Sequence, residues 1–293
     1  LAVGILIDMT RVRQHFARPA CASTHLLLVL SLVGCTHTST TVEVPKPHLS
    51  ALETTEKALS APASASNRAL PSVILVFEEH LRALSAEGDI DLGAQKLGFD
   101  GQRDWQEWAH GSQNRSIANS DHLDRNAATL NDGAGGIFVV FEATPQYGEH
   151  QGDVDLYGQH ISADGSLLWN DGQPMPLATS RQRERNPVLS SDGDGGLVVV
   201  FEIEIVQGPD KGDIDIGAQR IDPSGTMLWN SGARSVGVAR TNLIEKNPNL
   251  VQAPDGSIVV VYEAIQRQAP TGHDLLARRI SSDGALLWKA QRG

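Results

Sequence analysis

Leu197-Val198-Val199-Val200-Phe201-Glu202 opens a stretch that runs through Gly212-Asp213-Ile214-Asp215-Ile216-Gly217-Ala218-Gln219-Arg220-Ile221 and closes at Gly225-Thr226-Met227-Leu228-Trp229. The chain repeats it three more times. Ile137 to Trp169 carries Val139-Val140-Phe141-Glu142, Gly152-Asp153-Val154-Asp155 and Gly165-Ser166-Leu167-Leu168-Trp169. Ser72 to Trp105 carries Leu75-Val76-Phe77-Glu78, Gly88-Asp89-Ile90-Asp91 and Gln95. Ser257 to Trp288 carries Val260-Val261-Tyr262-Glu263, Asp274 and Gly284-Ala285-Leu286-Leu287-Trp288. The four tryptophans stand 64, 60 and 59 residues apart, and a near-constant period of this size marks a repeat architecture.

Residue types set the local structure of each copy. The Val-rich run is apolar on both faces and too short for a globular helix, which predicts a buried strand. The Asp-Ile-Asp-Ile-Gly-Ala-Gln-Arg-Ile segment alternates as a half-buried strand does. Asp132-Gly133, Asp192-Gly193 and Asp255-Gly256 offer the positive φ of tight turns, and Asp164-Gly165, Ser224-Gly225 and Asp283-Gly284 lead into a short strand ending on tryptophan. A segment opening on Asn67, Asn126, Asn186 or Asn247 supplies the remaining strand. The expected fold is all-β and β-propeller-like over residues 67–293: four four-stranded antiparallel blades of about 60 residues.

Upstream lie two segments of other character. In residues 1–35, Arg11, Arg13 and Arg18 precede the apolar run Leu26 to Val33. That run is shorter than the roughly 20 residues of a membrane-spanning helix and suits a signal-peptide core. It ends Leu32-Val33-Gly34-Cys35, which resembles the lipobox of bacterial lipoproteins. The resemblance implies lipid attachment at Cys35, a bacterial cell-envelope address and, with Thr36 rather than aspartate next, the outer membrane. Residues 36–66 are rich in Thr, Ser, Ala and Pro and read as a flexible tether.

Over the repeats, Asp-Gly-x-Gly-Gly, Asp-Ile-x-x-x-Ala-Gln-Arg and Gly-x-x-x-Trp together resemble tandem repeats of secreted bacterial proteins with propeller-like folds. They are similar to the blades of pyrroloquinoline-quinone-type propellers. The chain departs from the quinone enzymes in having four copies and no constellation for their cofactor, so none is expected. A net charge of −11 argues against a grip on nucleic-acid phosphates. Both cysteines, Cys21 and Cys35, precede the repeats, which therefore hold together without disulfides.

Trp105, Trp169, Trp229 and Trp288 recur at one blade position, where a large ring anchors the hairpin in the core. Glu78, Glu142, Glu202 and Glu263 each end a Val-rich strand and read two ways. They accept hydrogen bonds at blade ends, or they form a ring around a divalent cation such as calcium. Repeat 1 alone has an enlarged loop, Trp108 to Arg125, with His110, Arg115, Asp121 and His122, a place for a specific ligand. The expected function is a monomeric lipoprotein, anchored to the membrane, that binds or scaffolds a protein or glycan partner without catalysis. One alternative is a propeller enzyme acting on glycans, which needs two acids about 5 to 10 Å apart in one cleft. Another is a truncated propeller with no independent role.

If Cys35 carries the lipid, the protein partitions with membranes and Cys35→Ala leaves it unprocessed or soluble. Equal partitioning of both forms in membrane fractionation excludes the anchor.

Overall fold

The computed structural model describes residues 29–32, 72–80, 90–105, 114–232, 235–266 and 269–288. Cys35, residues 36–66 and Asn67 lie outside them. Fifteen strands and two short 3-10 turns, with no α-helix, make up the described chain. Four blades follow one another. Blade 1 holds β1 (Val29–Leu32), β2 (Ser72–His80), β3 (Ile90–Gly98) and β4 (Arg115–Ala118). Blade 2 holds β5 (His122–Asn131), β6 (Ile137–Pro145), β7 (Asp155–Ile161) and β8 (Met175–Ala178). Blade 3 holds β9 (Arg183–Ser191), β10 (Leu197–Glu204), β11 (Ile214–Ile221) and β12 (Val236–Ala239). Blade 4 has β13 (Ile244–Gln252), β14 (Ile258–Gln266) and β15 (Ala269–Ile280). Pairing within each blade is antiparallel throughout; a single parallel bridge, Ile90 to Leu123, links the sheets of blades 1 and 2. The architecture is all-β and propeller-like.

Two details differ from the sequence expectation. The segment before each tryptophan is not a strand: it touches its neighbour through one bridge, Ile161 to Leu167 or Ile221 to Met227, and the tryptophan closes a turn. The fourth strand comes after the tryptophan, at β4, β8 and β12. The apolar Leu26 to Val33 run was expected as a signal core, yet its Val29–Leu32 portion pairs antiparallel with β2, Val29 opposite Val76 and Leu32 opposite Val73. This is the place that β5, β9 and β13 fill in the other blades.

The two-faced apolar character of the Val-rich strands has a direct cause: each is covered by a different neighbour on each side. Ile137, Val139 and Phe141 of β6 join Ile74, Val76 and Leu92 of blade 1 in one core cluster. Phe138 and Val140 of the same strand face blade 3, packing with Leu197, Val199 and Phe201. Val198 and Val200 of β10 then meet Ile258, Val260 and Tyr262 of blade 4. Alternation at period two therefore assigns odd and even residues to successive blade junctions.

Each tryptophan completes the junction to the next blade. Trp169 and Trp229 are fully buried, and their indole nitrogens donate to the carbonyls of Pro223 and Ser282 at 2.9 Å; Trp105 reaches Ala163 at 3.1 Å. The rings lie on the hairpin glycines, so that a Cβ at Gly225 or Gly284 would stand 3.0 Å or less from a side-chain atom, Met175 or Trp229. A glutamine holds the main chain at two of these residues: Gln159 Oε1 accepts the Trp169 backbone N–H at 2.8 Å, and Gln219 Oε1 accepts that of Trp229 at 2.9 Å. Trp229→Ala should therefore cost about 3 to 5 kcal/mol, the range for deleting a large buried ring. Leu228→Ala, beside it and half exposed, should cost little. Chemical denaturation of the two variants checks this, and equal losses would contradict the register.

Candidate functional site

The four glutamates do not converge on one point; they are strung along the blade junctions. Asn126, Asn186 and Asn247 sit at bulges in β5, β9 and β13 with φ of 52°, 52° and 53°, a conformation that asparagine tolerates. That twist points the backbone N–H at one blade and the side chain at another. Asn186 donates its N–H to Glu142 of blade 2 at 2.8 Å and its side-chain amide to Glu202 of blade 3 at 2.7 Å. Asn126 does the same to Glu78 at 3.2 Å and Glu142 at 3.0 Å, and the Asn247 N–H reaches Glu202 at 2.7 Å. Glu263 lies instead 3.6 Å from His273. Among the described residues no group of three or more His, Cys, Asp or Glu stands ready to hold a metal ion, so the calcium-ring geometry is not formed. The carboxylates are occupied by N–H donors from two blades.

A second set of acids, not singled out in the sequence, lies deeper in the junctions. Asp124, Glu184 and Glu245 are buried, and each accepts a hydroxyl hydrogen bond from a residue four positions earlier, Ser120, Ser180 or Thr241. The Ser/Thr-x-x-x-Asp/Glu spacing repeats with the blade period, which is the signal that would have found them. Facing them are the acids of the third strands. Burial first, then the charges of Asp153 and Glu184, push Asp155 up to about 7. Burial, then Asp215 and Asp213, push Glu245 up to about 7 as well. Glu184 and Asp153 are raised too, burial again leading. Asp155 Oδ1 and Glu245 Oε2 have no hydrogen-bond partner.

Two clefts open beside these acids. The larger, about 610 Å³, is lined by Glu184 and Asp215, both of blade 3, with Ser180, Gln182 and Arg240 on its walls. The smaller, about 460 Å³, is lined by Asp153, His150, Arg181 and Arg183. A protonated carboxyl and a second carboxylate in one cleft can give and take protons. Of the enlarged repeat-1 loop, residues 106–113 fall outside the described chain, and Arg115 and His122 lie in β4 and β5 rather than in a loop. His160 takes the repeat place of Lys96 and Arg220: its Nε2 is 3.0 Å from Asp132, its Nδ1 3.2 Å from the Pro223 carbonyl. It belongs to a blade junction.

No family model matches the chain, and no curated protein matches it. Among solved structures it is similar to an exo-1,5-alpha-L-arabinanase from a bovine ruminal metagenomic library, at 8% identity over 76% of this chain and 75% of that one, TM-score 0.43. A polysaccharide lyase of family PL25, an ulvan lyase, matches at 12% identity over 75% of this chain and 54% of its own, TM-score 0.44. A thermostable family-43 glycoside hydrolase matches at 9% identity over 76% and 69%, TM-score 0.42. The chain thus spans about half the length of the ulvan lyase. The likeness is one of fold. The proteins so matched are named as glycan-acting enzymes, not as the non-catalytic binding or scaffolding module expected from the sequence.

The raised carboxyls set a pH dependence. An unfolded Asp or Glu releases its proton near pH 4, whereas folded Asp155 and Glu245 keep theirs to about 7. The folded state binds more protons across that window, so stability falls as pH rises from about 4 to 7 and the loss is complete above it. The pair Asp155→Asn and Glu245→Gln should flatten the slope of melting temperature against pH. An unchanged slope would show that these groups ionise normally.

Proposed function

We propose that this chain is a glycan-acting enzyme of propeller-like architecture. The observation that carries the reading is that Glu184 of β9 and Asp215 of β11, on either side of Ile203 in blade 3, line the same 610 Å³ cleft. Burial raises the Glu184 carboxyl, the direction a general acid facing a departing glycosidic oxygen needs. Asp215 then supports the positive charge that develops at the sugar carbon, directly or through a water. Ser180, Gln182 and Arg240 offer polar groups on the walls for sugar hydroxyls. Two carboxyl groups in one cleft is the arrangement on which glycosidic cleavage depends.

Arabinan, xylan and ulvan serve as test substrates, with reducing-end release reporting hydrolysis and ultraviolet absorbance of unsaturated ends reporting elimination. Turnover of at least one is expected, with kcat reduced about 100-fold or more in Glu184→Gln and in Asp215→Asn. Undiminished turnover in both variants would move the chemistry elsewhere. Inertness toward all three, in folded protein, would reject the reading for these polymers.

A further inference from the structure

We propose that the outer faces of blades 1 and 4 are two halves of one more blade junction, and that a second copy of this chain fills each, closing a ring of two chains. Three core clusters join blades 1 with 2, 2 with 3 and 3 with 4; among the described residues none joins 4 with 1. The uncovered residues are those that every internal junction buries. Leu275 is 76% exposed, whereas its repeat counterparts Leu92, Leu156 and Ile216 are 1%, 0% and 0%. Val261 is 40% exposed against 0% for Val140 and Val200, and Trp288 is 44% exposed against 0% for Trp169 and 1% for Trp229. An isolated domain seldom leaves a contiguous apolar face of this kind without a partner.

The complementary half lies on blade 1. Internal tryptophans settle on a hairpin glycine and donate to the carbonyl two residues before it, Pro223 before Gly225 and Ser282 before Gly284. The corresponding hairpin of blade 1 is Gly98-Phe99-Asp100-Gly101. Gly101 has a φ of +80° and nothing within 4 Å of where a Cβ would be, and Phe99 is 64% exposed. Val73, Leu75 and Phe77 of β2, counterparts of the buried Ile137, Val139 and Phe141, are only half-buried. A receiving hairpin and an apolar strand face therefore stand open at one end, and the matching indole and leucine at the other.

The cation that reinforces each internal junction is present as well. Lys96 donates to the Ala163 carbonyl and Arg220 to the Ser282 carbonyl, each at 3.0 Å, beside the tryptophan donor. Arg279 holds that repeat place in blade 4, its guanidinium 5.9 Å from the Trp288 ring centre, and Arg278 holds the Trp288 carbonyl at 2.9 Å as Gln219 holds that of Trp229. Trp288 and Arg279 are thus set as donors for the Phe99 carbonyl of another copy. Such a head-to-tail contact closes when its rotations complete a circle.

Light scattering of the full-length chain tests this. The wild-type protein should show twice 31.4 kDa. Trp288→Ala and, separately, Leu275→Arg should raise the dissociation constant at least tenfold while near-ultraviolet circular dichroism and hydrogen-exchange protection of blades 2 and 3 stay unchanged. Both positions are exposed in the single chain, so neither variant should unfold it. A wild-type monomer at the highest soluble concentration, a dimer indifferent to both variants, or assemblies larger than two would each overturn the proposal.

Discussion

An indole laid on a glycine is the contact through which one blade recognises the next. Only glycine lets the ring approach the turn so closely, and only a ring with a nitrogen donor can then reach the turn carbonyl. The glutamine on the tryptophan main chain and the cation beside the ring are oriented by that contact. Apolar burial between Val-rich strands supplies most of the cohesion, being non-directional and proportional to area. The indole contact supplies what burial lacks, a fixed offset between neighbouring sheets.

A second tie fixes the opposite end of each strand. Asparagine at the bulge, in the left-handed conformation, turns one residue into a link between two glutamates of different blades. Losing the carboxylate would leave N–H donors from two blades without their acceptor, which is more costly than losing one hydrogen bond. Structural and chemical demands on carboxylates are thereby separated: those at strand ends are satisfied by N–H groups, whereas those deeper in the junction crowd one another and hold protons.

Much of this was legible in the residue pattern, and the exceptions have physical causes. Tryptophan spacing revealed the blades because each ring meets the same environment in every copy. The fourth strand was misplaced because its shared signal is only two residues long, an aliphatic side chain followed by alanine at Ile117-Ala118, Leu177-Ala178 and Val238-Ala239, too short to announce a strand. The glutamates pointed to one shared centre because symmetry was visible and direction was not: which neighbour a side chain faces depends on the bulge at asparagine. Asp124, Glu184 and Glu245 escaped notice because the acid varies between Asp and Glu, and the hydroxyl between Ser and Thr, although the spacing is constant. The cleft shared by Glu184 and Asp215 escaped notice because the two acids are brought together only by strand pairing, each standing opposite Ile203 of β10 from far along the chain.

Because odd and even residues of each Val-rich strand serve different neighbours, coupling in this molecule passes from blade to blade in series. Among the described residues, blades 2 and 3 are each held by two junctions, blades 1 and 4 by one. Such an array behaves as a linear sum of units and nearest-neighbour terms. A substitution at Val139 is felt toward blade 1, one at Val140 toward blade 3, though the two residues adjoin. Sequence drift can therefore reshape one interface while its neighbour on the same strand is held constant, and copies of a single ancestral blade become free to acquire different cleft walls.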